Sequence, residues 1–286
     1  MTIFDLYRMS IKEIENRHDV LSLFKVFFNF DRIQISMHEN MVVPENILNA
    51  FKLKIDDLKK EMPIQYVVGS VDFMGLNLEV GEGVFIPRED TEVLVRAVYN
   101  RLGKNFDGNI IDLCAGSGNI SLSLKKLIPN ANVTAVEKSE KAFEYLIKNK
   151  KRTNLDINCT MGDIFEVCDE FENNKFDAIV SNPPYIRKNE IKNLDKNVQY
   201  EPKMSLDGGD DGLYFYKNII SKWNNKLKKC GFFAFEIGYD QYEDVKDLLK
   251  NKNHGSLLYK DSHNKNRAII SSRTNYPNIS LPTRFL

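Results

Sequence analysis

The chain has 286 residues, 42% hydrophobic and 28% charged, with 40 basic side chains balanced by 40 acidic ones. That is the composition of a globular protein with one large or two unequal domains, and zero net charge disfavours a protein whose main task is gripping phosphate backbones. No apolar run reaches the length of a membrane span. Met1 to Ser10, with Asp5 and Arg8 among its apolar residues, lacks the build of a signal peptide, so the expected compartment is the cytoplasm.

Residues 1–70 read as a small bundle of short helices. Asp19 is expected to cap a helix carrying Leu21, Phe24, Val26, Phe27 and Phe28. Pro44 fits the first turn of another, followed by Ile47, Leu48 and Phe51. The texture changes near Gly69: Val71 to Ile86 is rich in Gly, Val and Phe, and the turn signal Gly81-Glu82-Gly83 predicts a β-hairpin over 71–86 that joins two domains.

Over 87–273 strand-like runs alternate with helical ones. Strands are expected at Asn109–Leu113, Val133–Val136, around Ile157, Cys159 and Met161, at Phe176–Val180 and at Phe232–Ile237. Helices are expected at Ile120–Leu127, Glu140–Lys150 and from about Leu213 to Lys229. This rhythm predicts a doubly wound, mostly parallel α/β sheet covered on both faces, with right-handed crossovers. Residues 274–286, with Pro277 and Pro282 among polar residues, read as a tail.

The four cysteines, Cys114, Cys159, Cys168 and Cys230, form no C-x-x-C pair and have no histidine at zinc-ligand spacing. They read as free thiols, and no metal site is expected.

The first strand runs into Asp112-Leu113-Cys114-Ala115-Gly116-Ser117-Gly118, which opens a helix. Glycines at such a turn let the backbone pass close to a ligand. The third glycine of a dinucleotide fingerprint is missing, since Ile120 and Ser121 follow, which favours other nucleosides. Glu137 ends the second strand 19 residues beyond Gly118, the place of an acid that accepts from ribose hydroxyls. Asp163, in Gly162-Asp163-Ile164-Phe165, is placed to accept from an adenine amine, with Ile164 against the ring; it reads equally as a helix cap.

The fourth strand runs straight into Asn182-Pro183-Pro184-Tyr185. Open α/β sheets bind ligands beyond the carboxyl ends of their strands. Proline has no N–H to compete, so the Pro183 carbonyl and the Asn182 side-chain oxygen can bind both hydrogens of a planar –NH2 group and aim its nitrogen at a methyl donor. Tyr185 offers an aromatic face to a flat group.

Asn-Pro-Pro-Tyr with the glycine turn resembles the Rossmann-like S-adenosylmethionine-dependent methyltransferases that act on amide or exocyclic amino nitrogens. Further motifs narrow the resemblance: Pro63 to Gly69, Phe85-Ile86-Pro87-Arg88-Glu89-Asp90-Thr91-Glu92, Glu201-Pro202, Leu206 to Leu213, Phe235-Glu236-Ile237-Gly238 and Asn266-Arg267. Together, over about residues 60–272, they resemble the release-factor glutamine methyltransferases, the HemK/PrmC family. Glu137 stands where many relatives have Asp, and Cys114-Ala115 where many have Gly-Thr.

The resemblance implies methylation of the glutamine in the Gly-Gly-Gln motif of peptide-chain release factors. The cofactor S-adenosylmethionine would sit against Cys114 to Gly118, Glu137, Ile164 and Asn182. The glutamine would sit against Asn182, Pro183, Pro184 and Tyr185, and the N-terminal helices would help hold the release factor. A monomer is the default expectation, with no direct nucleic-acid target. Two alternatives stay open at this point: a glutamine methyltransferase of a ribosomal protein, and an adenine-N6 nucleic-acid methyltransferase. Arg88, Asp90, Thr91 and Glu92 have either a junction-ordering or a substrate-contacting role.

Overall fold

The computed structural model describes residues 1–274; of the expected tail, only Thr274 falls inside that range. Chain contacts separate two compact units. One is built from Met1–Ser70, Val80–Glu82 and Asp195–Tyr200; the other from Val71–Glu79, Gly83–Leu194 and the chain from Glu201 onward.

The first unit holds α1 (Ile3–Glu13), α2 (Arg17–Phe28), α3 (Arg32–Met37), α4 (Glu45–Lys59) and α5 (Ile64–Val68). Helical spacing of apolar residues brings Leu6, Leu23, Phe24, Phe51 and Ile55 into one buried cluster. The cap of α2 is Asn16, whose side chain accepts from the His18 N–H at 3.0 Å. Asp19, expected as the cap, lies in the first turn instead, where its charge still faces the positive helix end. Pro44 caps α4 from just outside the helix rather than from its first turn. Asp195–Tyr200 joins this unit through its side chains: Tyr200 Oη donates to the Lys60 carbonyl at 2.6 Å and Lys196 pairs with Glu61 at 2.8 Å.

The second unit opens at Val71, inside a two-stranded hairpin of β1 (Ser70–Phe73) and β2 (Leu76–Glu79). Its turn is Met74-Gly75, both with positive φ (49° and 69°), as a tight two-residue hairpin loop requires. The turn expected at Gly81-Glu82-Gly83 is not the hairpin's. The shorter loop better matches the twist of the strands, and methionine is a weak signal for it.

After α6 (Glu92–Leu102) come β3 (Asn109–Leu113), α7 (Asn119–Leu127), β4 (Asn132–Glu137), α8 (Glu140–Thr153), β5 (Asn158–Met161), β6 (Phe176–Ser181), α9 (Tyr214–Trp223), β7 (Leu227–Glu236), α10 (Tyr242–Lys250), β8 (His254–Lys260) and β9 (Asn266–Arg273). The sheet order is β5-β4-β3-β6-β7-β9-β8, parallel from β5 to β7, with β9 and β8 antiparallel at the far edge. The α/β, doubly wound, mostly parallel reading therefore describes this unit.

Alternation along the strands separates two cores. Ile110, Val133 and Ala178 face α6, α7 and α8, where Val95, Leu122 and Leu146 meet them. Ile111, Val136 and Ile179 face α9 and α10, where Ile219, Trp223 and Val245 meet them.

The helix expected to run to Lys229 ends at Trp223. Leu227 to Lys229 are good helix formers by themselves, but Leu227 pairs with Phe176 and begins β7, a tertiary override of local propensity. Among the described residues, no helix is long and apolar enough to cross a membrane.

Candidate active site

The register sets the site. Leu113 of β3 lies opposite Val136 of β4 and Ser181 of β6, so Cys114, Glu137 and Asn182 leave the sheet side by side at its carboxyl edge. The strand order turns between β3 and β6 at this point, where open α/β sheets form a crevice. A cleft opens there, lined among others by Cys114, Ala115, Gly116, Ser117, Glu137, Asp163, Ile164, Asn182 and Pro184. Its empty volume is about 1070 Å³ with the open solvent at its mouth included.

The glycine turn is shaped by backbone constraints. Cys114, Gly116 and Gly118 have φ of 65°, 57° and 86°. Gly118 caps α7, and a Cβ there would lie 2.5 Å from Leu146 Cδ1, so that leucine end would have to shift. A Cβ at Gly116 would meet open space, because that residue faces the cleft. Cys114 takes a left-handed conformation that glycine adopts more easily. Below the turn, Asp112 is fully buried and its Oδ2 accepts from the Ser121 N–H at 3.1 Å. Burial pushes its carboxyl up to about 8, against the Ser121 hydrogen bonds and with help from the Glu137 charge.

Glu137 is 8% exposed. Its Oε2 accepts from the Gly116 N–H at 2.8 Å and its Oε1 from the Ser139 N–H at 2.7 Å. Burial raises its pKa while these backbone donors oppose the rise. Asp163 pairs with Lys138 at 2.8 Å and accepts from the Phe165 N–H at 2.8 Å, so it caps its own turn while lining the cleft. Burial alone would raise its carboxyl, but Lys138 and the Phe165 N–H bring it below its usual range.

Asn182 donates from Nδ2 to the Thr91 hydroxyl at 3.3 Å. Pro183 is buried behind it. Tyr185 does not line the cleft: its phenol turns inward and donates to Glu236 Oε1 at 3.3 Å, and burial beside that carboxyl drives its pKa far up. The Gln241 side chain donates to the Tyr185 and Gly212 carbonyls at 3.0 and 3.2 Å and accepts from the Gly238 N–H at 2.9 Å.

The structure adds lining residues that no sequence pattern singled out as ligand contacts: Phe85, Lys138, Phe165, Met204 and Tyr214. Phe165 and Tyr214 meet edge to face at 5.8 Å between ring centroids, giving one wall an aromatic surface. The unassigned run after Phe85 also receives partners. Arg88 pairs with Glu201, Asp90 with Arg267 at 2.9 Å, and Glu92 accepts from the Met74 N–H at 3.2 Å.

The cleft fits a nucleoside on three observations. Ser117 Oγ is buried and makes no hydrogen bond to any described residue. Gly116 leaves its side of the cleft open. Glu137 is held in place by two N–H groups yet keeps acceptor capacity, since a carboxylate has about four lone-pair sites. Among the described residues, no group of three or more His, Cys, Asp or Glu is placed to hold a metal ion.

A sheet of this order, with a glycine turn after β3, an acid ending β4 and Asn-Pro-Pro-Tyr after β6, defines a methyltransferase, and residues 81–203 match the family model described as the methyltransferase small domain. A methyltransferase from Pyrococcus furiosus superposes with a TM-score of 0.52 at 19% identity, covering 69% of this chain and 88% of that one. The hMettl16 catalytic domain superposes at 0.61 and 14% identity, covering 91% of each. These likenesses concern the fold alone. The release factor glutamine methyltransferase of Clostridium acetobutylicum is 38% identical over 247 residues, covering 85% of this chain and 86% of its own. That of Aquifex aeolicus is 32% identical over 279 residues, covering 95% and 98%. The chain belongs to the release factor glutamine methyltransferase family.

Proposed function

We propose that this chain transfers a methyl group from S-adenosylmethionine to the side-chain amide nitrogen of the glutamine in the Gly-Gly-Gln motif of peptide-chain release factors. The observation that carries the reading is that Asn182 and Pro184 line the same cleft as Cys114 to Ser117 and Glu137. A group that binds –NH2 hydrogens thus shares one space with a nucleoside cradle.

When bound, S-adenosylmethionine supplies an electrophilic methyl group on its sulfonium. The Gly116 turn and Ser117 would hold the nucleoside, Glu137 would accept from the ribose hydroxyls, and Asp163 with Ile164 would flank the adenine. Asn182 Oδ1 and the Pro183 carbonyl accept the two N–H groups of the substrate amide and aim its nitrogen. An amide nitrogen is a poor nucleophile, so positioning and electrostatics are the chain's main contributions. As the nitrogen gains its bond to carbon, the N–H groups become more positive and the two acceptors hold them more strongly than in the ground state. The proton then leaves the methylated nitrogen to solvent, which calls for no dedicated base.

Residues 1–70 are assigned as the substrate-binding domain, 71–86 as its connection and 87–273 as the methyltransferase domain. On the helical unit Ile33, Met37, Val42 and Leu53 are 70, 74, 68 and 66% exposed, apolar side chains within reach of a protein partner. The enzyme is assigned to the cytoplasm and to a monomeric state.

The test offers the full chain a tritiated methyl donor with a release factor, a large-subunit ribosomal protein and duplex DNA in parallel. Label in the release factor is expected. Label only in the ribosomal protein or the DNA overturns the substrate, and label in none overturns the reaction.

A further inference from the structure

Thr91 ends the short turn Glu89–Thr91 ahead of α6 and is fully buried. Its hydroxyl accepts from Asn182 Nδ2 at 3.3 Å. Near it lies the carboxyl of Glu236, the last residue of β7, which is 2% exposed and whose rise in pKa the Thr91 side chain opposes. Glu236 Oε1 takes the Tyr185 phenol, while Oε2 has no donor of ordinary geometry among the described residues.

The polarity of this chain matters. A primary amide presents an acceptor at one end and two donors at the other, in nearly the same shape. Turned one way, Asn182 offers the substrate amide an oxygen; turned the other way, it offers N–H groups that repel the substrate's own. A hydroxyl has one hydrogen. If that hydrogen goes to a carboxylate, which only accepts, the lone pairs remain for Asn182 Nδ2, and Oδ1 is left for the substrate. We propose that Thr91 and Glu236 are positioning residues that fix which end of the Asn182 amide faces the substrate, Glu236 by orienting the Thr91 hydroxyl and Thr91 by holding Nδ2. The proposal rests on the assignment of Asn182 to substrate-amide binding.

The surroundings agree with a carboxylate that is ionised in mildly alkaline solution. Burial pushes Glu236 up to about 7, opposed by the Thr91 hydrogen bond, the Arg267 charge and the Tyr185 phenol, and reinforced by the Asp90 charge. Tyr216, which packs from α9, donates to the Glu236 backbone carbonyl at 2.8 Å and leaves the carboxyl to Thr91 and Tyr185.

The test uses the full-length chain at pH 8 with three variants: Thr91→Val, which keeps the shape and loses the hydroxyl, Thr91→Ser, which restores it, and Glu236→Gln, which lets the hydroxyl reverse. One readout is independent of any substrate: hydrogen exchange of the Asn182 side-chain amide, followed by NMR in the presence of S-adenosylmethionine. Faster exchange in Thr91→Val and Glu236→Gln than in the wild type and Thr91→Ser is expected; identical exchange in all four overturns the proposal. The second readout is release-factor methylation. Thr91→Val should lower kcat by about 10²-fold, the scale of a small misplacement of a reacting group, with KM and cofactor affinity little changed and with turnover largely rescued in Thr91→Ser. A wild-type kcat in Thr91→Val, or a loss confined to KM, contradicts the positioning role. Should Thr91→Val fail to fold, Glu236→Gln carries both readouts. If the wild type methylates no release factor, the functional reading fails, while the exchange experiment still decides whether the pair holds the amide.

Discussion

The Glu137 carboxylate accepts a hydrogen bond from the Gly116 N–H at 2.8 Å, tying the end of β4 to the turn that follows β3. One carboxylate thereby shapes the glycine turn and stands ready for a ribose. Glu137→Gln keeps the size and loses the charge. Hydrogen bonds to charged groups contribute about 1.5–3 kcal/mol, so the dissociation constant for S-adenosylmethionine should rise about tenfold to a hundredfold by titration calorimetry. A value within twofold of the wild type would place the ribose elsewhere.

Two glycines two residues apart should respond differently to alanine. At Gly118 the Cβ meets Leu146 at 2.5 Å and φ is 86°; at Gly116 φ is 57° and the Cβ meets nothing within 4 Å. Backbone strain of about 1–3 kcal/mol applies at both, and overpacking of about 1–3 kcal/mol is added only at Gly118. Urea unfolding should therefore show Gly118→Ala as the less stable variant. The reverse order would mean that α8 yields freely at Leu146.

Gln241 is 2% exposed and its three hydrogen bonds fasten the Tyr185 carbonyl to the chain after β7. Gln241→Ala leaves Gly238 N–H and two carbonyls without that partner. A stability loss of about 2–3 kcal/mol is expected from such unsatisfied buried groups, together with lower turnover and nearly unchanged cofactor affinity. A stable variant with full turnover would show that Tyr185 is held from elsewhere.

Asp112 gives a pH dependence with a definite sign. Its folded pKa of about 8 stands above the ordinary 3.8, so between those values the folded chain holds a proton that the unfolded chain has lost. The contribution of Asp112 to stability is therefore fullest below about pH 4 and is lost as pH rises towards 8. Against Asp112→Asn, which has no such proton, wild-type stability in urea should fall between pH 5 and pH 8.5. Parallel curves for the two proteins would contradict the burial argument.

Sequence patterns made the carboxyl edge of the sheet readable because its parts are local. Asn109–Leu113 is a strand with the bounds its apolar run implies, the glycine turn follows at once, and Asn182 to Pro184 follow β6 directly. What stayed hidden depends on distant partners. Leu227 leaves a helical pattern because it pairs with Phe176, and β8 and β9 acquire meaning only beside β7. Met74-Gly75 forms the hairpin turn without the usual Asn or Asp. Thr91 and Asn182 are 91 residues apart, so the sequence showed two motifs where the structure shows one hydrogen-bonded group. The inward turn of the Tyr185 phenol towards Glu236 was hidden for the same reason.

The central claim is methyl transfer to a glutamine amide under the control of Asn182. Its most direct test is mass spectrometry of a purified release factor incubated with S-adenosylmethionine and either the wild-type chain or Asn182→Ala. The account predicts one added methyl group on the glutamine of Gly-Gly-Gln with the wild type and a large loss of turnover with the variant. An unmodified glutamine with the folded wild-type chain, or full-rate methylation by Asn182→Ala, would contradict it.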